Sequence, residues 1–213
     1  MNDKTLWLRF IFASLLLSNP LPGIFLPGNF LLAQEVAIDK TLPMLRQQNA
    51  GHLGVILQSS AMQHIQNGNM DVAMQRIEEA IDHAIKGDSA DSLPVMILLQ
   101  ILNKRDDEAA YDYLQQLLRK TKDKPAFQIK IYDQFGYHFR MRGQLVKAIS
   151  SYQSQIELMA KFPADPAKEI DALRALGQTC LQAQMPDLAM PALKRCQKLA
   201  LANHDLLTAN LCD

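Results

Sequence analysis

Four stretches of this chain share one frame of small and large residues, and that frame leaves few folds open. Counting from Gly136, the residues Phe139, Gly143, Ala148 and Tyr152 follow in fixed register. Counting from Gly177, the same offsets hold Cys180, Gln184, Ala189 and Leu193. From Ala61 they hold His64, Gly68, Ala73 and Ile77, and from Leu98 they hold Ile101, Arg105, Ala110 and Leu114. The starts lie 37, 38 and 41 residues apart. Each frame reads as helix, tight turn, helix. Apolar positions recur on one stripe of the first helix, as Tyr132, Phe135, Gly136 and Phe139, then as Leu173, Leu176, Gly177 and Cys180. A glycine inside a helix costs about 1 kcal/mol relative to alanine, so Gly136 and Gly177 need a reason. The expected reason is close approach. A small residue one turn into the second helix (Ala148 and Ala189; Ala73 and Ala110 in the other frames) lets the two helices approach closely, and Gly136 and Gly177 do the same from the facing helix. Gly68 and Gly143 suit the left-handed residue that ends a helix. Period-two runs of Val, Ile and Thr are nearly absent, so no sheet is expected.

This pattern resembles the tetratricopeptide repeat family. The best match is YDQFGYHFRMRGQLVKAISSYQ, from Tyr132 to Gln153, and LRALGQTCLQAQMPDLAMPAL, from Leu173 to Leu193, is second. The resemblance spans roughly residues 54–203. It implies an all-α fold: tandem antiparallel helix hairpins stacked as a short right-handed α-solenoid, four hairpins over 54–203. The spacing exceeds the usual 34 residues of the family. The stretches KGDSADSLP, KTKDKP and FPADP supply longer connections, each with a proline at the next helix start. Pro191 is awkward. With Asp187 as cap, it falls in the opening turns of a second helix, and a kink or delayed start is expected there.

Both ends differ from the repeats. Residues 1–33 place Lys4 and Arg9 before an apolar run to Leu32 and a small residue, Ala33, which is the order of a secretory signal. Pro20, Pro22 and Pro27 argue against a continuous spanning helix. The expectation is a periplasmic or otherwise exported protein; the alternative is a membrane anchor formed by an uncleaved N-terminus. Residues 34–53 are expected to cap the array at one end. Residues 204–213 are expected to form a short capping helix whose Leu206, Leu207 and Leu211 cover the last hairpin.

Lys plus Arg and Asp plus Glu balance at 22 each, which argues against a broad electrostatic grip on nucleic acid. No phosphate loop, HExxH, GxSxG or CxxC is present. The five histidines are scattered; His64 is expected to pack and His138 to be exposed. Asp106, Asp107 and Glu108 sit at a second-helix start and complement its dipole. The ten methionines are read as filling helical interfaces. No cofactor, metal or enzymatic role is expected. Cys180 and Cys196 lie on facing helices but about 10 Å apart at 1.5 Å per residue, beyond disulfide reach. Cys196 and Cys212 are about equally far from a turn near Asn203, so an oxidising compartment would let them pair; buried small residues are the alternative reading.

Stacked hairpins of this kind display their first helices on a concave side. The stripe facing away from the packing contacts holds Gln58, Met62 and Ile65, then Val95, Leu99 and Leu102, then Lys130, Asp133, Tyr137 and Arg140, then Asp171, Arg174, Gln178 and Leu181. The expected function is a non-enzymatic protein- or peptide-binding scaffold of the bacterial cell envelope. Its partner-binding residues would be Tyr137, Arg140, Lys130, Asp133, Arg174, Gln178, Leu99 and Leu102. The alternative is a structural or oligomerisation subunit that uses the apolar 95–102 surface.

Overall fold

A computed structural model describes residues 50–90, 93–104, 107–162 and 165–212. The expected signal segment, and the expected cap up to residue 49, lie outside them. The described residues form nine helices: α1 (Ala50–Gln66), α2 (Met70–Lys86), α3 (Val95–Leu102), α4 (Asp107–Lys120), α5 (Pro125–Met141), α6 (Leu145–Lys161), α7 (Pro166–Gln182), α8 (Pro186–Ala202) and α9 (Leu206–Leu211). Adjacent helices pack as antiparallel pairs, α1 on α2, α5 on α6 and α7 on α8, and successive pairs stack. This is an all-α helical repeat array.

The prolines set helix starts. Pro125, Pro166 and Pro186 each occupy an opening position, where the missing N–H is no loss. Asp165 caps α7 by accepting from the Ala167 N–H at 3.0 Å. α8 begins at Pro186, with Met185 as cap and Asp187 inside the first turn. The helix therefore starts early, and it runs through Pro191 without a break. The delayed start expected from an Asp187 cap does not occur.

Helix ends repeat one motif. The N–H of Asn69 donates to the His64 carbonyl at 2.8 Å, Gln144 to Phe139 at 2.9 Å, Met185 to Cys180 at 2.8 Å and Asp205 to Ala200 at 2.9 Å. Each bond spans a residue of positive φ: Gly68, Gly143, Gln184 and His204. This is the Schellman ending. Its acceptors His64, Phe139 and Cys180 hold the same place in the sequence frame, so in three of the four stretches the register is a register of turns.

Gly136 and Gly177 sit where the paired helices pack closely, and each accommodates one particular side chain. A Cβ on Gly136 would lie 2.6 Å from Cε1 of Tyr152, and one on Gly177 would lie 2.5 Å from Cγ of Leu193. Each glycine makes room for a large side chain one turn beyond the small alanine. Ala148 and Ala189 are buried on the same second helices. Around this joint Phe135, Phe139 and His138 pack edge to face or tilted, with ring centroids 5.4 to 6.1 Å apart. His138 is therefore buried, not exposed.

The end of the array also differs. α9 buries Ala209 and Cys212, whereas Leu206, Leu207 and Leu211 are 67%, 74% and 54% exposed. With only six residues, α9 turns one narrow side inward, and that side carries the small residues. Cys196 and Cys212 are joined by a disulfide, with Cα atoms 6.0 Å apart, and this ties α9 to α8. Cys180 is free and buried, and burial pushes its thiol pKa up.

Candidate partner-binding face

The first helices α1, α3, α5 and α7 form the row on which the binding residues were expected. α3 has eight residues where its counterparts have 17. Pro94 delays its start, and the missing turns leave a cleft of about 260 Å³ between α1 and α5. Leu93, Pro94, Val95, Met96 and Ile97 line it from the α3 side, Gln58 from α1, and Lys130 and Gln134 from α5. The residues of this cleft that sequence reasoning missed include Met96, which is 64% exposed, Ile97 and Gln134. The signal was Pro94: a helix that cannot begin before it is short.

Leu99 and Leu102 do not belong to the face. They are 7% and 2% exposed, and Val95 is buried beside them. α3 touches α1, α2, α4 and α5, so both apolar sides of its VMILLQIL sequence are covered and only Met96 and Gln100 turn outward. A helix apolar all round belongs to a core. The 95–102 stretch is thus largely a core element, and Met96 is its one exposed large apolar side chain.

α5 supplies the polar part. Lys130, Asp133, Tyr137 and Arg140 lie on one side of it, half-buried except for Tyr137, which is 50% exposed. Arg140 stacks its guanidinium over the Tyr137 ring at 5.7 Å. Asp133 accepts from Gln134 Nε2 at 2.8 Å and from Gln155 Nε2 at 3.4 Å. Asp133, Tyr137 and Arg140 also act electrostatically on the Tyr152 hydroxyl. Burial pushes that phenol up to about 12; Arg140 opposes the shift, while Asp133 and Tyr137 add to it. On α7, Arg174 donates to Asp171 at 2.9 Å one turn away. Gln178 is half-buried and Leu181 exposed on the same helix. Lys130 thus lines the cleft, Asp133, Tyr137 and Arg140 follow along the same side of α5, and Arg174 and Gln178 lie on α7.

Among the described residues no group of three or more His, Cys, Asp or Glu side chains is arranged to hold a metal ion. Among the same residues no helix is long and apolar enough to cross a membrane.

No family model matches the chain, and no curated protein matches it. Among solved structures it is similar to the crystal structure of BtubC (BKLC) from P. vanneervenii. The two share 20% identity over 83% of this chain and 75% of that one, with a TM-score of 0.53. At that identity the likeness is one of fold alone.

Proposed function

We propose that this protein is a non-enzymatic, tetratricopeptide-like scaffold that binds a protein or peptide along its row of first helices. The observation that carries this reading is the cleft left by the short α3. It is an apolar recess of about 260 Å³ with Lys130 and two glutamines at its rim. Beside it stand Tyr137 and Arg140, the residue types that dominate interface energies. Lys130 makes no ion pair among the described residues, so its charge is available to a ligand. A preformed recess flanked by an aromatic anchor suits the capture of a peptide side chain.

An exported setting fits the same reading. The order of residues 1–33 is that of a secretory signal, and the Cys196–Cys212 disulfide belongs to an oxidising compartment. The balanced charge disfavours nucleic acid as the partner. Membrane contact would come only from an uncleaved N-terminus.

The test is affinity capture from cell-envelope extract, followed by titration of each captured partner against Tyr137→Ala, Arg140→Ala and Met96→Ser variants. Interface anchors lose on the order of 2 kcal/mol on truncation, about 30-fold in affinity. Unchanged affinity in all three variants would refute the proposed face. Sedimentation of the isolated protein decides in parallel whether the captured partner is another copy.

A further inference from the structure

Apart from one covalent bond, little holds α9 to the array. It has six residues, and an isolated helix is marginal in water below about 12–15. It packs on α8, and it buries only Ala209 and, just past its end, Cys212. No side chain from Leu201 to Thr208 is buried. The connection is ordered by backbone contacts instead: the Asp205 N–H bonded to the Ala200 carbonyl, and the Thr208 N–H donating to Asp205 Oδ1 at 3.0 Å. Both are local to the turn, and neither fixes α9 against α8. Two small side chains remove little apolar surface from water, and that gain must offset the ordering of the whole segment.

What remains is the Cys196–Cys212 disulfide, which joins residues 16 apart. The core does not need that bond to keep Cys196 in place. Its Sγ lies 3.6 Å from the Ile170 carbonyl of α7, so the thiol form has an acceptor waiting and stays inside as a small apolar residue.

We propose that α9 is an oxidation-dependent latch: it docks on α8 when Cys196 and Cys212 are joined, and it unravels into solvent when they are thiols. Closure is a two-step exchange with a disulfide-bearing oxidant. In the open chain the Cys212 thiolate attacks the oxidant's disulfide, and one of its sulfurs leaves as a thiol. The Cys196 thiolate, uncovered on the side that Cys212 otherwise occupies, then attacks the Cys212 sulfur and expels the other. The two cysteines give up two electrons and two protons, and the oxidant becomes a dithiol. Once shut, the latch covers its own sulfurs, because Cys196 and Cys212 are 0% and 2% exposed. A reductant reaches them only as α9 frays, so the closed state persists. The closed form carries Leu206, Leu207 and Leu211 outward on an ordered helix, a surface that the thiol form lacks.

Hydrogen exchange read by mass spectrometry on the full chain tests this, with the oxidised parent, the phosphine-reduced parent and Cys212→Ala compared. Cys212→Ala keeps a small side chain at the buried position and removes only the bond. Residues 206–212 exchange about 100-fold faster in the reduced parent and in Cys212→Ala than in the oxidised parent, the constraint that closing a loop of this length supplies. Exchange in α5 to α7 is unchanged. A second measurement detects the open form directly. In Cys196→Ala, Cys212 reacts with a maleimide within about threefold of the rate of the denatured chain, while buried Cys180 does not react. Four results overturn the proposal. Protection of 206–212 in Cys212→Ala equal to that of the oxidised parent would mean that packing, not the bond, holds α9. Loss of protection spreading through α7 and α8 would make the disulfide a support of the whole array. Lack of protection at 206–212 in the oxidised parent would mean that the latch never shuts. An unreactive Cys212 in Cys196→Ala would mean that it never opens.

Discussion

Replacing Gly136 with alanine sets two known effects against each other. Alanine favours a helix interior over glycine by about 1 kcal/mol. Opposing it, the new methyl would sit 2.6 Å from Cε1 of Tyr152, and 2.9 Å from both Cδ1 and Cζ. Ordinary carbon contacts begin near 3.5 Å, so the ring must retreat by most of an ångström. Tyr152 is only 2% exposed, so its ring is enclosed by core neighbours. Overpacking of this kind costs about 1–3 kcal/mol, and three close ring atoms place it near the top of that range. The net effect is a loss of about 1.5 kcal/mol, or roughly 3–6 °C in Tm for a domain of this size. Gly54→Ala is the internal control, because the atom nearest its new Cβ is His83 Nδ1 at 3.8 Å. That substitution stabilises by about 0.5–1 kcal/mol. Urea unfolding of both variants, with m-values compared, reads the difference. If Gly136→Ala stabilises as much as Gly54→Ala, the argument that glycine makes room for Tyr152 is wrong.

Three further outcomes are expected. Reducing the Cys196–Cys212 disulfide, which closes a sequence separation of 16 residues, lowers unfolding free energy by up to about 3 kcal/mol; in denatured, unreduced protein a thiol assay finds one free cysteine, Cys180. Leu99→Ala costs about 2–5 kcal/mol in urea unfolding because the residue is core, while changing Leu206, Leu207 and Leu211 together to serine shifts stability by about 0.5 kcal/mol per site or less because all three are exposed. Stability falls as pH rises from 10 to 12: Tyr152 ionises near 10 when unfolded but near 12 when folded, so the native state binds more protons across that window and loses ground as they leave. A flat chemical-denaturation midpoint over that pH range would contradict the buried setting of the phenol.

The repeat register was legible in the sequence because it consists of local backbone events. The Schellman turns fall at Gly68, Gly143, Gln184 and His204. Prolines mark three of the helix starts. Such features depend on dihedral preferences of residues close in the chain. The outward stripe of α5 was legible for the same reason: Lys130, Asp133, Tyr137 and Arg140 alternate with an apolar stripe at helical spacing, and one stripe must face out.

Where both sides of a helix are apolar, periodicity carries no such information. Leu98 and Leu99 are chemically alike, and only contact with α1, α2, α4 and α5 buries both. The leucines of α9 failed as a cap for the reverse reason. The disulfide and Ala209 fix which side of that short helix turns inward, and the leucines are left outside. Gly136 lies between these cases. Its place in the frame is set by sequence, but its contact is with Tyr152, sixteen residues away on another helix. By itself, the sequence determined the hairpins and their turns, which are short-range backbone choices. Tertiary structure decided which apolar faces are covered, which cleft opens beside the short α3, and which charges lack partners. Burial and pairing depend on neighbours that the local pattern does not name.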